Sequence, residues 1–191
     1  MIEHHAAATA LARWGHDLRD ARSRRRRFMR RGLAIAGLAA ALAATIALPP
    51  HPLLVWNASA SAPIGLYRVG GTDLKTGEMV IAWPPTRARD FVARRHYLPA
   101  NVPLVKRVAA GPGDTICALG QEIFVNSRWV AERLVHDGAG RPMPWWTGCV
   151  KLRHGAMFLL MTDSPASFDG RYFGPTGRGD IVGRATLLWA R

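Results

Sequence analysis

Val102-Pro103-Leu104-Val105-Lys106-Arg107-Val108-Ala109-Ala110, closed by Gly111-Pro112-Gly113-Asp114, reads as a buried β-strand that ends in a turn. The chain carries a net charge of +13, and almost all of its basic residues are arginines. The lysines are Lys75, Lys106 and Lys151. Lys75 sits in the polar turn Asp73-Leu74-Lys75-Thr76-Gly77, and Lys151 follows a cysteine in a mixed-charge stretch. Lys106 alone is embedded in apolar sequence, where desolvation disfavours the ammonium. Depressing its pKa from about 10.4 into the range 7–8 corresponds to roughly 3–4 kcal/mol. A neutral amine is a general base, so a group that needs one is expected nearby.

Outward from this strand the patterns stay β-like. Ile64–Val69, Glu78–Trp83, Thr115–Leu119, Glu122–Asn126, Trp129-Val130, Ala156–Met161 and Ile181–Trp189 read as strands bounded by Gly, Pro and Asn turns. Thr86–His96 fits a short helix, with Phe91, Val92 and Arg95 at helical spacing, and Leu134–Gly148 is irregular. The fold class is mainly β.

The N-terminal part has a different character. Residues 1–31 form a polar, Arg-rich tail ending in Arg22-Ser23-Arg24-Arg25-Arg26-Arg27-Phe28-Met29-Arg30-Arg31, and Gly32–Leu48 carries no charge before Pro49-Pro50. That run spans roughly 25 Å as a helix, the lower limit for a bilayer. The positive flank predicts a single-pass protein of the inner (cytoplasmic) membrane with its N-terminus in the cytoplasm. The organisation expected is therefore a tail over 1–31, a transmembrane helix over 32–48 and a periplasmic domain over 49–191. The arginines touch phospholipid head groups on this view, and no nucleic-acid partner is expected, since no helix-turn-helix or aromatic platform accompanies them. A twin-arginine export signal cleaved at Ala58-Ser59-Ala60 is the alternative.

Cys117 and Cys149 show no C-x-x-C and no His/Cys spacing for a metal, so neither a metal nor a cofactor is implied. In an oxidising compartment they would form a disulfide contributing about 3–4 kcal/mol; two unpaired core cysteines are the alternative. Nothing matches G-x-S-x-G, H-E-x-x-H, a P-loop or a dinucleotide fingerprint. The segment Asn57-Ala58-Ser59-Ala60-Ser61-Ala62-Pro63-Ile64-Gly65-Leu66-Tyr67 alternates two serines among small residues, which places both hydroxyls on one face of an extended strand. A serine needs an adjacent base to become a nucleophile, and Lys106 can be that base.

Three boxes now resemble the type I signal peptidases, in the branch that matures conjugative pilin precursors. Ser59–Tyr67 is similar to the serine box S-x-P-x-G-x-Y, Val105-Lys106-Arg107-Val108 through Gly111-Pro112-Gly113-Asp114 to the lysine box, and Ser167-Phe168-Asp169-Gly170-Arg171-Tyr172-Phe173-Gly174-Pro175 to the C-terminal box. Thr162-Asp163-Ser164-Pro165 replaces the family's usual Gly-Asp-Asn, and Gly170 replaces a common serine, which would loosen the turn. The resemblance implies a signal-peptidase-like antiparallel β domain on a single N-terminal transmembrane helix. It makes Ser61 the nucleophile, Lys106 the general base, Ser61 N–H and the Ser59 hydroxyl the oxyanion hole, and Ser167 the group that orients the lysine. Asp169 and Arg171 would pair with each other to support that wall, because a carboxylate on Lys106 would keep it charged. The implied partner is a membrane-bound precursor protein lying extended in shallow apolar pockets, cut through an acyl-enzyme. Trp145-Trp146 is expected at the membrane interface, with core packing as its alternative. A non-enzymatic, membrane-tethered periplasmic scaffold is the rival function.

Overall fold

The computed structural model describes residues 2–47, 51–99 and 101–191. The chain divides into two units, Met1–Pro50 and His51–Arg191. The first holds one helix, α1, Ile2–Ala47. The arginine block read as a polar tail is thus itself helical; alanine, leucine and arginine are strong helix formers, and no proline interrupts them. Within α1, Ala21–Ala47 has a mean hydropathy of 1.4 over its most apolar window and is long and apolar enough to cross a membrane. Leu33, Ile35, Leu38, Leu42 and Ile46 are exposed along it. Leu48 and the stop expected at Pro49-Pro50 lie outside the described residues.

The second part is antiparallel β in two sheets. Its strands are β1 (Leu54–Asn57), β2 (Gly65–Val69), β3 (Met79–Ala82), β4 (Leu104–Ala110), β5 (Thr115–Leu119), β6 (Glu122–Val125), β7 (Arg128–Glu132), β8 (Gly148–Lys151), β9 (Phe158–Leu160) and β10 (Ile181–Ala190). Two short helices, α2 (Thr86–Arg94) and α3 (Gly170–Phe173), complete it, with a 3₁₀ turn at Arg178–Asp180. The larger sheet has the order β1-β2-β10-β3-β4-β9 and the smaller β7-β6-β5-β8. β10 joins the halves of the larger sheet, pairing with β3 through Ile181–Arg184 and with β2 through Ala185–Ala190, with a bulge in each stretch. Gly65 is required at this junction, since a Cβ there would lie 2.0 Å from the Trp189 carbonyl oxygen.

The mainly β reading holds, and among the described residues the irregular stretch 134–147 forms no strand or helix, only the isolated bridge His136–Pro142. Four elements were not anticipated as such: the start of β1, the whole of β8, helix α3 and a turn at Ala60-Ser61. β4 lies between β3 and β9, so its residues are buried except Ala109, which is half-buried, and Arg107, which is exposed and donates to the Gly77 carbonyl at 2.9 Å. One core cluster gathers Val55, Ala62, Tyr67, Ile81, Val105, Met161 and Ala185 on the larger sheet. Another packs Ile116, Ala118 and Ile123 of the smaller sheet on Phe158 and Leu160 of β9. Each such fully buried side chain stabilises the fold by roughly 1.5–3 kcal/mol, which fixes β4 and β9 rigidly beneath whatever their side chains carry. Cys117 and Cys149, opposed on β5 and β8, form a disulfide across the smaller sheet.

Candidate active site

Lys106 is 3% exposed, and its Nζ lies 2.8 Å from Ser61 Oγ and 2.7 Å from Ser167 Oγ. As an ammonium it donates to both hydroxyls; as an amine it still donates to Ser167 and offers its lone pair to the Ser61 O–H. Burial lowers its pKa to about 8, with the Asp169 charge pulling it up and the Arg171 charge down. An amine with a pKa of about 8 is mostly charged at pH 7 but gives up its proton far more easily than a solvated lysine, so the strand holds an accessible base beside a serine hydroxyl.

Ser61 arrives from a different element than expected. The segment after β1 is a turn, not a strand, with Ala62 N–H donating to the Ser59 carbonyl at 3.4 Å. Alternating Ala and Ser mimics strand periodicity, but the Asn57 carboxamide supplies the bonds a neighbouring strand would otherwise give. Its Oδ1 accepts from Ser59 N–H at 3.1 Å, and its Nδ2 donates to the carbonyls of Ser59, Ala62 and Pro63 at 2.9, 3.1 and 3.0 Å. The two hydroxyls nonetheless meet: Ser59 Oγ and Ser61 Oγ are 3.0 Å apart, and Ser61 N–H approaches Ser59 Oγ at 3.4 Å. Tyr67 donates its hydroxyl to the Pro63 carbonyl at 2.8 Å, closing the far end of the turn.

Ser167 sits on the loop between β9 and α3, and Arg171 shapes that loop. The Arg171 guanidinium donates to the carbonyls of Met161 at 2.6 Å, Ser164 at 3.1 Å and Pro165 at 2.7 Å. Asp169 caps α3 by accepting the Arg171 N–H at 3.2 Å and takes the Met161 N–H at 3.0 Å on its other oxygen. Its Oδ1 lies 3.5 Å from Arg171 Nε, an ion pair without a hydrogen bond. Burial pushes the Asp169 carboxyl up, and the Arg171 and Lys106 charges oppose it. No hydrogen bond joins Asp169 to Lys106 among the described residues, so the lysine meets only neutral hydroxyls.

Aromatic packing fixes the same loop from behind. Phe168 stacks on Tyr172 with centroids 5.5 Å apart and touches Tyr97, Phe173 and Phe91 at 5.1–6.1 Å. Gly170 does not loosen the turn: a Cβ there would lie 2.7 Å from the Phe158 ring and 2.8 Å from the Leu159 carbonyl, so only glycine fits. Trp146 is half-buried and packs against the core, its Nε1 donating to the Gly170 carbonyl at 3.0 Å and its ring edge-on to Phe158, whereas Trp145 is exposed with its ring 4.2 Å from the Arg133 guanidinium carbon. The exposed tryptophan pair is Trp56 with Trp189, centroids 5.6 Å apart, beside exposed Leu53, Leu54, Leu187 and Leu188. A mostly apolar cleft of about 740 Å³ runs past Ser61 and Lys106 and is also lined by Tyr97, Leu104, Met143 and Phe168. That is a volume typical of a ligand site. Sequence reading missed Asn57 and Tyr97 as parts of this site; the only signal for Asn57 was a carboxamide two residues before the first serine, where Asx turns begin.

Residues 25–190 match the family model described as signal peptidase, peptidase S26. The chain is 32% identical over 170 residues to the plasmid transfer protein TraF of Escherichia coli, covering 83% of this chain and 94% of that one. It is 32% identical over 95 residues to signal peptidase I V of Bacillus subtilis, covering 44% of this chain and 56% of that one. A crystal structure of a signal peptidase I from Enterococcus faecalis shares 17% identity at a TM-score of 0.36, covering 61% of this chain and 100% of that one.

Proposed function

This chain belongs to the signal peptidase family, peptidase S26, and on that premise we propose that it is a membrane-anchored serine endopeptidase that cleaves the leader of an exported precursor through a Ser61–Lys106 dyad. The observation that carries the proposal is the buried Lys106 amine set between two serine hydroxyls at 2.8 and 2.7 Å. Neutral Lys106 takes the proton of Ser61 as Oγ attacks the scissile carbonyl carbon and the carbonyl π electrons move to oxygen. Ser61 N–H and the Ser59 hydroxyl stabilise that oxyanion; one such donor is worth about 10²–10³ in rate. Collapse breaks the C–N bond, the leaving amine takes the proton from the Lys106 ammonium, and an ester on Ser61 remains. Water then attacks the ester with Lys106 again as base. Ser167 holds the amine in place, and Asp169 with Arg171 holds the loop of Ser167.

The substrate is a membrane-bound precursor, in our reading a conjugative pilin or a related protein. A relative named as a plasmid transfer protein, matched over most of its length, supports a role in conjugation. In our reading the apolar part of Ala21–Ala47 anchors the enzyme in the inner membrane, and the arginines within 22–31, at the start of that stretch, favour a cytoplasmic N-terminus and a periplasmic β domain. The exposed Trp56–Trp189 patch suits an interface with phospholipid, where tryptophan is favoured.

The test is acylation of the full chain in detergent by a serine-reactive penem, read by intact mass and peptide mapping. One adduct on Ser61, lost in both Ser61→Ala and Lys106→Ala while each variant stays folded, is expected. A folded wild type that takes no adduct, or whose adduct ignores Lys106, leaves a tethered scaffold in its place.

A further inference from the structure

The peptidase reading assigns roles to Ser59, Ser61, Lys106 and Ser167 but gives none to the side chain that makes the most bonds to the serine turn. We propose that Asn57 is a positioning residue for the oxyanion hole: its carboxamide holds the Ser59–Ser61 turn so that Ser61 N–H and the Ser59 hydroxyl face one point. The inference rests on Ser61 being the nucleophile.

Tyr67 holds only the far end of this turn at Pro63, and the serines themselves are held chiefly by Asn57. Ala58 through Ala62 contain no glycine, asparagine, aspartate or proline, and serine, the turn-favouring residue they do hold, gives only the long Ser61 N–H to Ser59 Oγ contact of 3.4 Å. The one backbone bond across it, Ala62 N–H to the Ser59 carbonyl, is long at 3.4 Å. Asn57 makes four contacts of 2.9–3.1 Å to the same few residues. Its two amide hydrogens serve three carbonyls, so one is shared. The carboxamide is also anchored: Asn57 ends β1 opposite Gly65 of β2, and it is 7% exposed. It occupies the carbonyls of Ser59, Ala62 and Pro63 and the N–H of Ser59, and among the described residues Ser61 N–H has no partner but the 3.4 Å contact to Ser59 Oγ. That N–H and that hydroxyl are the two donors an oxyanion requires. An aspartate would keep the Ser59 N–H bond yet set an oxygen against three carbonyl oxygens, and an alanine would supply nothing.

Acylation by the same penem tests this, with the maximal rate and the half-saturating concentration measured separately for wild type, Asn57→Ala, Asn57→Asp, Ser59→Ala and the Asn57→Ala/Ser59→Ala pair. Fold is checked by near-ultraviolet circular dichroism. We expect each Asn57 variant to lose about 100-fold in maximal rate, the scale of one oxyanion donor, with half-saturation within threefold of wild type. The double variant falls only a few-fold below Ser59→Ala, since both changes act on one hole. The pH of half-maximal rate stays at the wild-type value, because among the described residues no hydrogen bond joins Asn57 to Lys106. A folded Asn57→Ala within threefold of wild type overturns the inference. So does a loss accompanied by a rise in that pH, which reports a loosened and rehydrated site. If Asn57→Ala does not fold, Asn57→Asp decides; if neither folds, Asn57 is a requirement of the fold and the inference is overturned. A wild type that is not acylated at Ser61 instead removes the peptidase reading itself.

Discussion

Lys106 on β4 of the larger sheet and Arg133, just past β7 on the smaller, are both buried, at 3% and 0% exposure, and neither hydrogen-bonds a carboxylate among the described residues. Their company differs. Lys106 meets two hydroxyls, groups that accept from an ammonium or donate to an amine. Arg133 meets only carbonyls: Gly120 at 2.9 Å from Nε and 2.5 Å from Nη2, Trp146 at 2.7 Å, and Arg171 at 3.4 Å, with the Trp145 ring 4.2 Å from its guanidinium carbon. Carbonyls tolerate no loss of the proton, and a guanidinium never loses one, so Arg133 is a permanent staple between the smaller sheet and α3. The hydroxyl environment leaves Lys106 free to change its charge. What surrounds a buried cation, and not burial alone, therefore separates one free to change its charge from one that is not.

Exchanging the two cations breaks the comparison if it is wrong. Lys106→Arg keeps a buried positive charge that cannot become a base, so Ser61 acylation should fall by at least about 10⁴-fold at every pH between 6 and 10. Activity retained across this range in the variant would mean that charge, not proton transfer, is what the strand supplies. Arg133→Lys is the converse. A single ammonium cannot reach carbonyls on three segments, so denaturant unfolding should show a loss of about 2–4 kcal/mol. The acylation rate of the protein that remains folded should stay within tenfold of wild type. A large rate loss with unchanged stability would place Arg133 among the site residues.

The same contrast marks what the sequence discloses. Lys106 was legible because one lysine in Leu104-Val105-Lys106-Arg107-Val108 violates its own surroundings. Arg133, in Ala131-Glu132-Arg133-Leu134, looks like any surface arginine, and only tertiary packing buries it. Ser167, Asp169 and Arg171 were found by likeness to a motif; their geometry depends on a four-residue helix whose start is capped by Asp169, too short to leave a periodic signal. The Ala-Ser alternation gave a true proximity of Ser59 to Ser61 from a false conformation, because period-two spacing cannot see the Asn57 carboxamide. β8 was invisible for a related reason: Gly148–Lys151 is exposed throughout, and its place is set by pairing with β5 and by the Cys117–Cys149 bond. The N-terminal helix extended past its expected start because charge marks a membrane boundary but does not end a helix.

The finest test of the comparison is thermodynamic. The folded pKa of Lys106, about 8, lies below that of a solvated lysine, so the unfolded chain binds this proton more tightly than the native one. Below pH 8 the native state must either carry the charge in a dry pocket or give up the proton, and wild type is destabilised by that. As pH rises from 8 toward the unfolded value near 10.5 the penalty disappears, a change of about 3 kcal/mol at 1.36 kcal/mol per pKa unit. Lys106→Met, which fills the same space with no charge, should be inactive yet more stable than wild type at pH 7. That advantage should shrink by about 2–3 kcal/mol when unfolding is repeated at pH 10. Arg133→Met should behave oppositely, less stable than wild type by a margin that does not change between the two pH values, since its partners and its charge are fixed across that range. A constant gap for Lys106→Met would show that the lysine is as permanently charged as the arginine, and the distinction between the two sites would collapse.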